Sequence, residues 1–184
     1  MKKILTVLGF AASFAAYAQG GPLIINNYSA YDFVGEVVAH NVLAPCYPRV
    51  GPNTPIKVPA DSHMGNGLQL EYANYKDQFG SSLYPMTNWS VYTSPNGFNV
   101  RPWDHASVQP GGAISNNTRW GMVKFGMVHP GTNTGVTGFS AGMAFAGNTC
   151  YSYPDSFTST VGPYSADFFT ITSGTTTTTY IQLY

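Results

Sequence analysis

Hydrophobic and polar residues alternate with a period of two over much of this chain, and helical periodicity is nearly absent. In the segment 31–41, for example, one face carries Phe33 and Val37 and the other carries Glu36 and His40. Such alternation predicts β-strands that bury one face. The same pattern predicts further strands at 68–74, in which Leu68, Leu70 and Tyr72 face inward, and at 88–93, 119–128, 136–145, 167–172 and 175–184.

Glycine and proline punctuate these strands at short intervals. The segment 94–97 has the turn sequence Ser-Pro-Asn-Gly, and the glycine-rich linker 129–135 predicts a hairpin between the strands that flank it. The segments 42–67 and 94–117 are rich in proline, glycine and asparagine and are predicted to be long loops. We therefore expect an all-β protein, an antiparallel β-sandwich with jelly-roll or immunoglobulin-like layering.

The predicted strand 136–145 is unusual because bulky and bare positions alternate along it. Phe139 and Met143 lie on one side, and Gly138 and Gly142 lie on the other. A bare side lets an aromatic ring, another backbone or a ligand approach closely. Glycine at a β-bulge is the alternative interpretation.

The first eighteen residues have the layout of a secretory signal peptide. Lys2 and Lys3 precede an apolar run at 4–14, and Ala16-Tyr17-Ala18 forms a cleavage site before Gln19. The apolar run is shorter than the roughly 20 residues that span a bilayer. We expect a cleaved leader (1–18), one sandwich domain (19–184) without a transmembrane segment, and export to the periplasm, the cell surface or the extracellular medium.

The chain carries little charge. Charged residues make up 9% of it, against about 25% in a typical soluble domain. Without the leader, the chain has six basic and eight acidic residues. This balance provides no excess of positive charge for binding nucleic acid. A neutral, polar and aromatic surface suits contact with glycans, with a surface or envelope protein, or with further copies of the chain.

Cys46 and Cys150 are the only two cysteines. An oxidising compartment favours a disulfide between them. Two free, buried cysteines are the alternative.

Groups that could transfer protons are few. The four histidines are far apart and fall in no metal-binding spacing, so the sequence predicts neither a metal nor a cofactor. A hydrolase would need the Asp104–His105 pair or two carboxylates such as Glu36 and Glu71. Sequence neighbours such as Asp104 and His105 point to opposite faces of a strand, and the Gly-x-Ser-x-Gly match at 138–142 lies inside a predicted strand rather than at a strand-to-helix turn. We therefore favour a non-enzymatic protein.

The densest group of polar and aromatic side chains is Trp103, Asp104 and His105, with Trp120 predicted to lie nearby. Tryptophan can stack on sugar rings while polar neighbours bond hydroxyl groups. These four residues are the candidate ligand site. The alternative is that Trp120 belongs to the core.

These patterns favour an exported recognition or interaction protein of the bacterial cell surface or envelope that binds glycans. A second hypothesis is a structural subunit of a filament or outer-membrane assembly that adds a strand to a neighbour. The terminal segments 23–28 and 175–184 are the candidates for such strand addition. Pairing of each segment within its own sheet is the alternative.

Overall fold

A computed structural model describes residues 21–75 and 83–184. The predicted signal peptide lies outside this part of the chain. The described residues form a short 3-10 turn, Ser115–Asn117, and twelve strands: β1 Leu23–Asn27, β2 Asp32–His40, β3 Arg49–Pro52, β4 Ile56–Val58, β5 Leu70–Tyr72, β6 Asn88–Tyr92, β7 Phe98–Pro102, β8 Arg119–Val128, β9 Gly135–Ala144, β10 Ser156–Thr158, β11 Ser165–Ser173 and β12 Thr176–Leu183.

These strands form two sheets. The five-stranded sheet has the order β10-β11-β12-β1-β5, and the seven-stranded sheet has the order β7-β6-β3-β2-β8-β9, with β4 also paired to β2. All pairs are antiparallel except β1 and β12, which run parallel. The prediction of an all-β sandwich is confirmed.

The two segments that the sequence predicted to be long loops contain strands. Strands β3 and β4 lie within 42–67, and β7 lies within 94–117, so the loop prediction is wrong there. These strands have three to five residues and lie beside prolines, and such short runs show too little alternation to be recognised.

Both terminal strands lie inside the five-stranded sheet. Strand β1 lies between β12 and β5, and β12 lies between β11 and β1. The segments considered for strand addition therefore pair with each other and leave no free edge of their own.

The core between the sheets contains a group of four large aromatic side chains, with ring centroids 5.1 to 6.1 Å apart. They are Tyr72, Tyr75, Trp89 and Trp120. The Trp89 Nε1–H donates to the Tyr75 carbonyl at 3.1 Å, and the Tyr75 and Thr118 hydroxyls lie 2.9 Å apart. Leu68, predicted to face inward, is 45% exposed because it precedes β5 and lies outside the pleated strand.

The predicted disulfide is confirmed, with an S–S distance of 2.07 Å between Cys46 and Cys150. It ties the segment that follows β2 to the segment that follows β9. In residues 21–75 and 83–184, no helix is long and apolar enough to span a membrane.

Candidate ligand-binding face

The outward face of the seven-stranded sheet carries a row of aromatic and basic side chains that crosses five strands. Each member is the direct cross-strand partner of the next. Directly opposed residues point to the same side of a sheet, and four strand spacings give the row a length of about 19 Å. The row consists of Phe98, Tyr92, Arg49, His40 and Arg119.

A β-bulge in β8 sets the direction of one end of the row. The register shifts so that Met122 pairs with Val38 while Trp120 pairs with Ala39. The extra residue, Gly121, reverses the alternation, so Trp120 enters the core and Arg119 points outward. A Cβ atom at Gly121 would collide with the His40 ring, so this position requires glycine.

Arg49 lies at the centre of the row, held by tyrosine rings. Its Cζ is 4.5 Å from the Tyr92 ring centroid and 5.9 Å from that of Tyr47. Its Nη1–H donates to the Tyr151 Oη at 3.4 Å. These contacts hold the guanidinium group in place while the residue stays partly exposed. Arg49 therefore presents an ordered hydrogen-bond donor at the surface.

His40 is fully buried beneath the segment that follows β9. Its Nε2 accepts from the Asn148 side-chain amide at 3.1 Å, and its Nδ1–H donates to the Asn41 carbonyl at 2.8 Å. Burial, together with the charges of Arg119 and Arg49, lowers the pKa of His40. The ring is therefore neutral at pH 7, and the two arginines supply the positive charge of the row.

Arg119 is half-buried at the end of the row. Its Cζ lies 4.2 Å from the Phe145 ring centroid, and its Nε–H is buried without a hydrogen-bond partner. Burial lowers the pKa of Arg119. An unpaired buried donor costs about 1 to 3 kcal/mol, so Arg119 is held at this position at some cost to stability.

A second feature of the same face is a shallow groove of about 650 Å³. Tyr153 lies flat against Gly142, where an added Cβ would be 3.0 Å from the ring, and the Lys124 Nζ lies 5.5 Å from the ring centroid. An aromatic ring thus approaches the bare side of β9 at Gly142, whereas Gly138, with a φ of 74°, lies where the register between β8 and β9 shifts, as the bulge interpretation predicts. Tyr151 and Tyr153 are nearly parallel, with centroids 6.2 Å apart.

Positive charge is concentrated on this sheet. All five lysines and arginines of the described residues lie on its strands. Lys57 pairs with Asp32 at 2.8 Å. Arg101 directly opposes the buried Trp89 and so does not point to this face. Within the described part of the chain, Arg49 and Arg119 form no salt bridge with a carboxylate. The face therefore has positive charge available for a ligand.

Comparison with protein families, curated proteins and solved structures finds no match. The chemistry of this face is therefore inferred from its own residues.

The structure divides the four residues of the sequence-predicted site. Trp103, Asp104 and His105 follow β7 in a surface loop, whereas Trp120 is only 2% exposed and packs in the core. The ring of Trp120 is therefore not available to stack on a ligand from solvent. The role of the other three in ligand binding stays a prediction.

The polar groups around His105 differ from those of a catalytic triad. The Arg101 Nη1–H donates to His105 Nε2 at 2.7 Å, and the Ser107 Oγ lies 2.9 Å from Nδ1. Asp104 is exposed and forms no hydrogen bond with this ring. Because a guanidinium group only donates, Nε2 is the acceptor in this contact, and Arg101 holds the ring in place.

The two carboxylates considered for glycoside hydrolysis lie on opposite sides of the sandwich. Glu36 points outward from β2, and Glu71 points outward from β5. Stacked sheets lie about 10 Å apart, so two outward carboxylates are farther apart than the roughly 5 to 9.5 Å of glycosidase pairs. In residues 21–75 and 83–184, no three His, Cys, Asp or Glu side chains are grouped as a metal site.

Sequence reasoning missed the row because its members come from five separate strands. The available signal was the rarity of arginine, with only three in the chain. Two of these three, Arg49 and Arg119, lie on the row.

Proposed function

We propose that this chain is an exported, non-enzymatic recognition protein of the bacterial cell surface or envelope, and that it binds glycans on the outward face of its seven-stranded sheet. The observation that carries this proposal is the cross-strand row from Phe98 to Arg119. It combines flat rings with fixed hydrogen-bond donors.

The aromatic part of the row suits the apolar faces of sugar rings. Phe98 is 51% exposed, and Tyr153 in the adjacent groove is 37% exposed. Exposed large rings on a chain with so little charge are typical of surfaces that contact a ligand or a partner. The tyrosine hydroxyls and the Arg49 guanidinium group add the polar contacts that fix the orientation of a saccharide.

The shape of the face favours an extended ligand. The row is about 19 Å long, and the groove beside it is shallow and open. A chain of sugars could lie across the strands and contact several members of the row. A small apolar molecule would find no enclosed cavity among these residues.

A paired set of variants tests the proposal. Replacing Tyr92 and Phe98 with alanine removes the aromatic pair of this face, whose centroids are 5.0 Å apart. Replacing Phe169 and Tyr180 removes the cross-strand pair on the outward face of the other sheet, whose centroids are 5.3 Å apart. Both double variants lose two partly exposed rings from a strand pair, so they are matched in chemistry and in fold cost.

The measurement is binding of the purified protein to an array of neutral and acidic bacterial and plant oligosaccharides, followed by titration of the best ligands. We expect the Tyr92/Phe98 variant to lose about 10-fold or more in affinity, and the Phe169/Tyr180 variant to bind like the wild type. Equal binding by both folded variants, or wild-type protein that binds no glycan, would refute the proposal.

A further inference from the structure

We propose that a pocket beside Arg119 is a subsite for an anionic group, the carboxylate or sulfate of an acidic saccharide. This inference rests on the proposed function and specifies the class of glycan. The pocket has a volume of about 280 Å³ and lies where β2 ends and β8 begins.

Arg119 lines this pocket and is also the last member of the row. No carboxylate of the described chain pairs with it, and its buried Nε–H has no hydrogen-bond partner. Buried donors in folded proteins are nearly always paired. A guanidinium group without a carboxylate partner can bind the two oxygens of a carboxylate or sulfate through two parallel hydrogen bonds from its N–H groups.

The other walls of the pocket are neutral and polar. Asn116 and Asn117 belong to the 3-10 turn that precedes β8, and their side-chain amides donate to the Gly111 and Ala113 carbonyls at 3.0 and 2.8 Å. These bonds fix the two side chains and leave each Oδ1 as an acceptor. Amide oxygens accept from sugar hydroxyls, so the pocket can bind both the anionic group and the ring that carries it.

The surroundings of the pocket favour an anion over a neutral ligand. Arg49 lies two strands away on the same row, about 10 Å from Arg119 by strand spacing. His40, between them, is neutral and buried. The strands of the seven-stranded sheet carry two carboxylates. Asp32 is paired with Lys57, and Glu36 lies four residues along β2 from His40, the nearest member of the row. The local field is therefore positive.

The test is a calorimetric titration with matched pairs of ligands. One pair is an oligouronate and its carboxyl-reduced form; the other is a sulfated oligogalactan and its desulfated form. We expect the wild type to bind one or both acidic ligands about 10- to 100-fold more tightly than the neutral counterpart. The pair that shows the difference identifies carboxylate or sulfate as the anionic group.

The decisive variant is Arg119→Gln, with Arg101→Gln as its control. Arg101 is also half-buried, also forms no salt bridge and also has a buried, unpaired Nε–H, but it lies beside His105 and not at the pocket. We expect Arg119→Gln to reduce the acidic preference, taken as the ratio of acidic to neutral affinity within the same variant, to less than about 3-fold. We expect Arg101→Gln to keep the preference.

Three results would overturn the inference: an acidic preference that survives Arg119→Gln, an equal loss in both variants, or no acidic preference in the wild type. In each case continued binding of the neutral glycans would leave the proposed function standing, whereas absence of all glycan binding would refute both.

Arg119→Lys guards against a folding defect, since it keeps the charge and removes the planar fork. An intermediate preference in that variant, with an unchanged melting temperature, supports the subsite.

Discussion

The outward faces of the two sheets carry the same kind of aromatic pair in opposite electrostatic settings. Tyr92 and Phe98 are cross-strand partners on the seven-stranded sheet, and Phe169 and Tyr180 are cross-strand partners on the five-stranded sheet. The Arg49 guanidinium lies over Tyr92. No lysine, arginine or histidine lies on the strands of the five-stranded sheet, which carry Glu71 and Asp167.

The difference shows what makes an aromatic pair a candidate binding site. Cross-strand rings stabilise any sheet by about 0.2 to 1 kcal/mol, whatever the protein does. A guanidinium group held on a ring without a carboxylate partner adds little to this stability, because it remains partly solvated.

The largest effect on stability is expected from the disulfide, which anchors the segment that follows β9 to the seven-stranded sheet. Its cysteines are 104 residues apart, and closing a loop of that length stabilises the fold by up to about 4.7 kcal/mol. We expect the Cys46→Ala/Cys150→Ala variant to lose about 2 to 5 kcal/mol of unfolding free energy, as measured by urea denaturation.

The same variant tests whether the cross-link acts on one face. Lower global stability speeds the exchange of core amides in both sheets. Amides around Tyr151 and Tyr153 should in addition exchange through local opening. Absence of that extra quickening, or a stability unchanged from that of the oxidised wild type, would contradict this prediction.

A smaller effect is expected where the groove depends on a bare position. Gly142→Val places a branched side chain against the Tyr153 ring, 3.0 Å from the new Cβ, and overpacking of this kind costs about 1 to 3 kcal/mol. In Gly126→Val, on the neighbouring strand, the atom nearest to the new Cβ is 3.9 Å away, so this Cβ meets no close neighbour. Thermal unfolding of the two variants should separate them, and equal melting temperatures would show that Tyr153 does not pack on the sheet.

The smallest effect is expected from pH, through the buried His40. Its pKa is lowered from 6.5 in the folded protein, so below about pH 6.5 the unfolded state binds more protons. Stability therefore falls as the pH decreases through that value towards the folded pKa. Between about pH 8 and pH 5, His40→Gln should remove this loss, while His129→Gln, at an exposed turn, should keep it.

Protonation of Asp32 changes the stability in a different pH range from that of His40. The carboxylate hydrogen-bonds Lys57 and the Ala60 amide, which lower its pKa from 3.8. The stability that it contributes is lost only at more acidic pH.

A wild-type stability that stays flat from about pH 8 to pH 5 would contradict the burial of a neutral His40.

Much of the fold could be predicted from alternation alone. The expected strands at 119–128 and 136–145 agree with β8 and β9 to within one residue, and the segment 31–41 contains β2. Long strands that bury one face repeat the period-two signal enough times to be recognised. Strands β3, β4 and β7 are too short and too close to proline to do so.

The candidate face could not be predicted for a different reason. Its row depends on which strands are neighbours and on the register in which they pair. The local alternation of hydrophobic and polar residues determines neither. The phase of Arg119 and Trp120 depends on the bulge at Gly121. Without that bulge, Trp120 would share the outward face of Met122. The predicted site included Trp120 only because it lies close in sequence to Trp103, Asp104 and His105.

An NMR titration of the isotope-labelled protein with an acidic oligosaccharide from the calorimetric set tests whether the seven-stranded sheet, and not the five-stranded one, is the binding face. We expect the largest amide shift changes at Arg49, Tyr92 and Phe98, and no change at Phe169 or Tyr180. Changes confined to β11 and β12, or to the loop that carries Trp103, would contradict it.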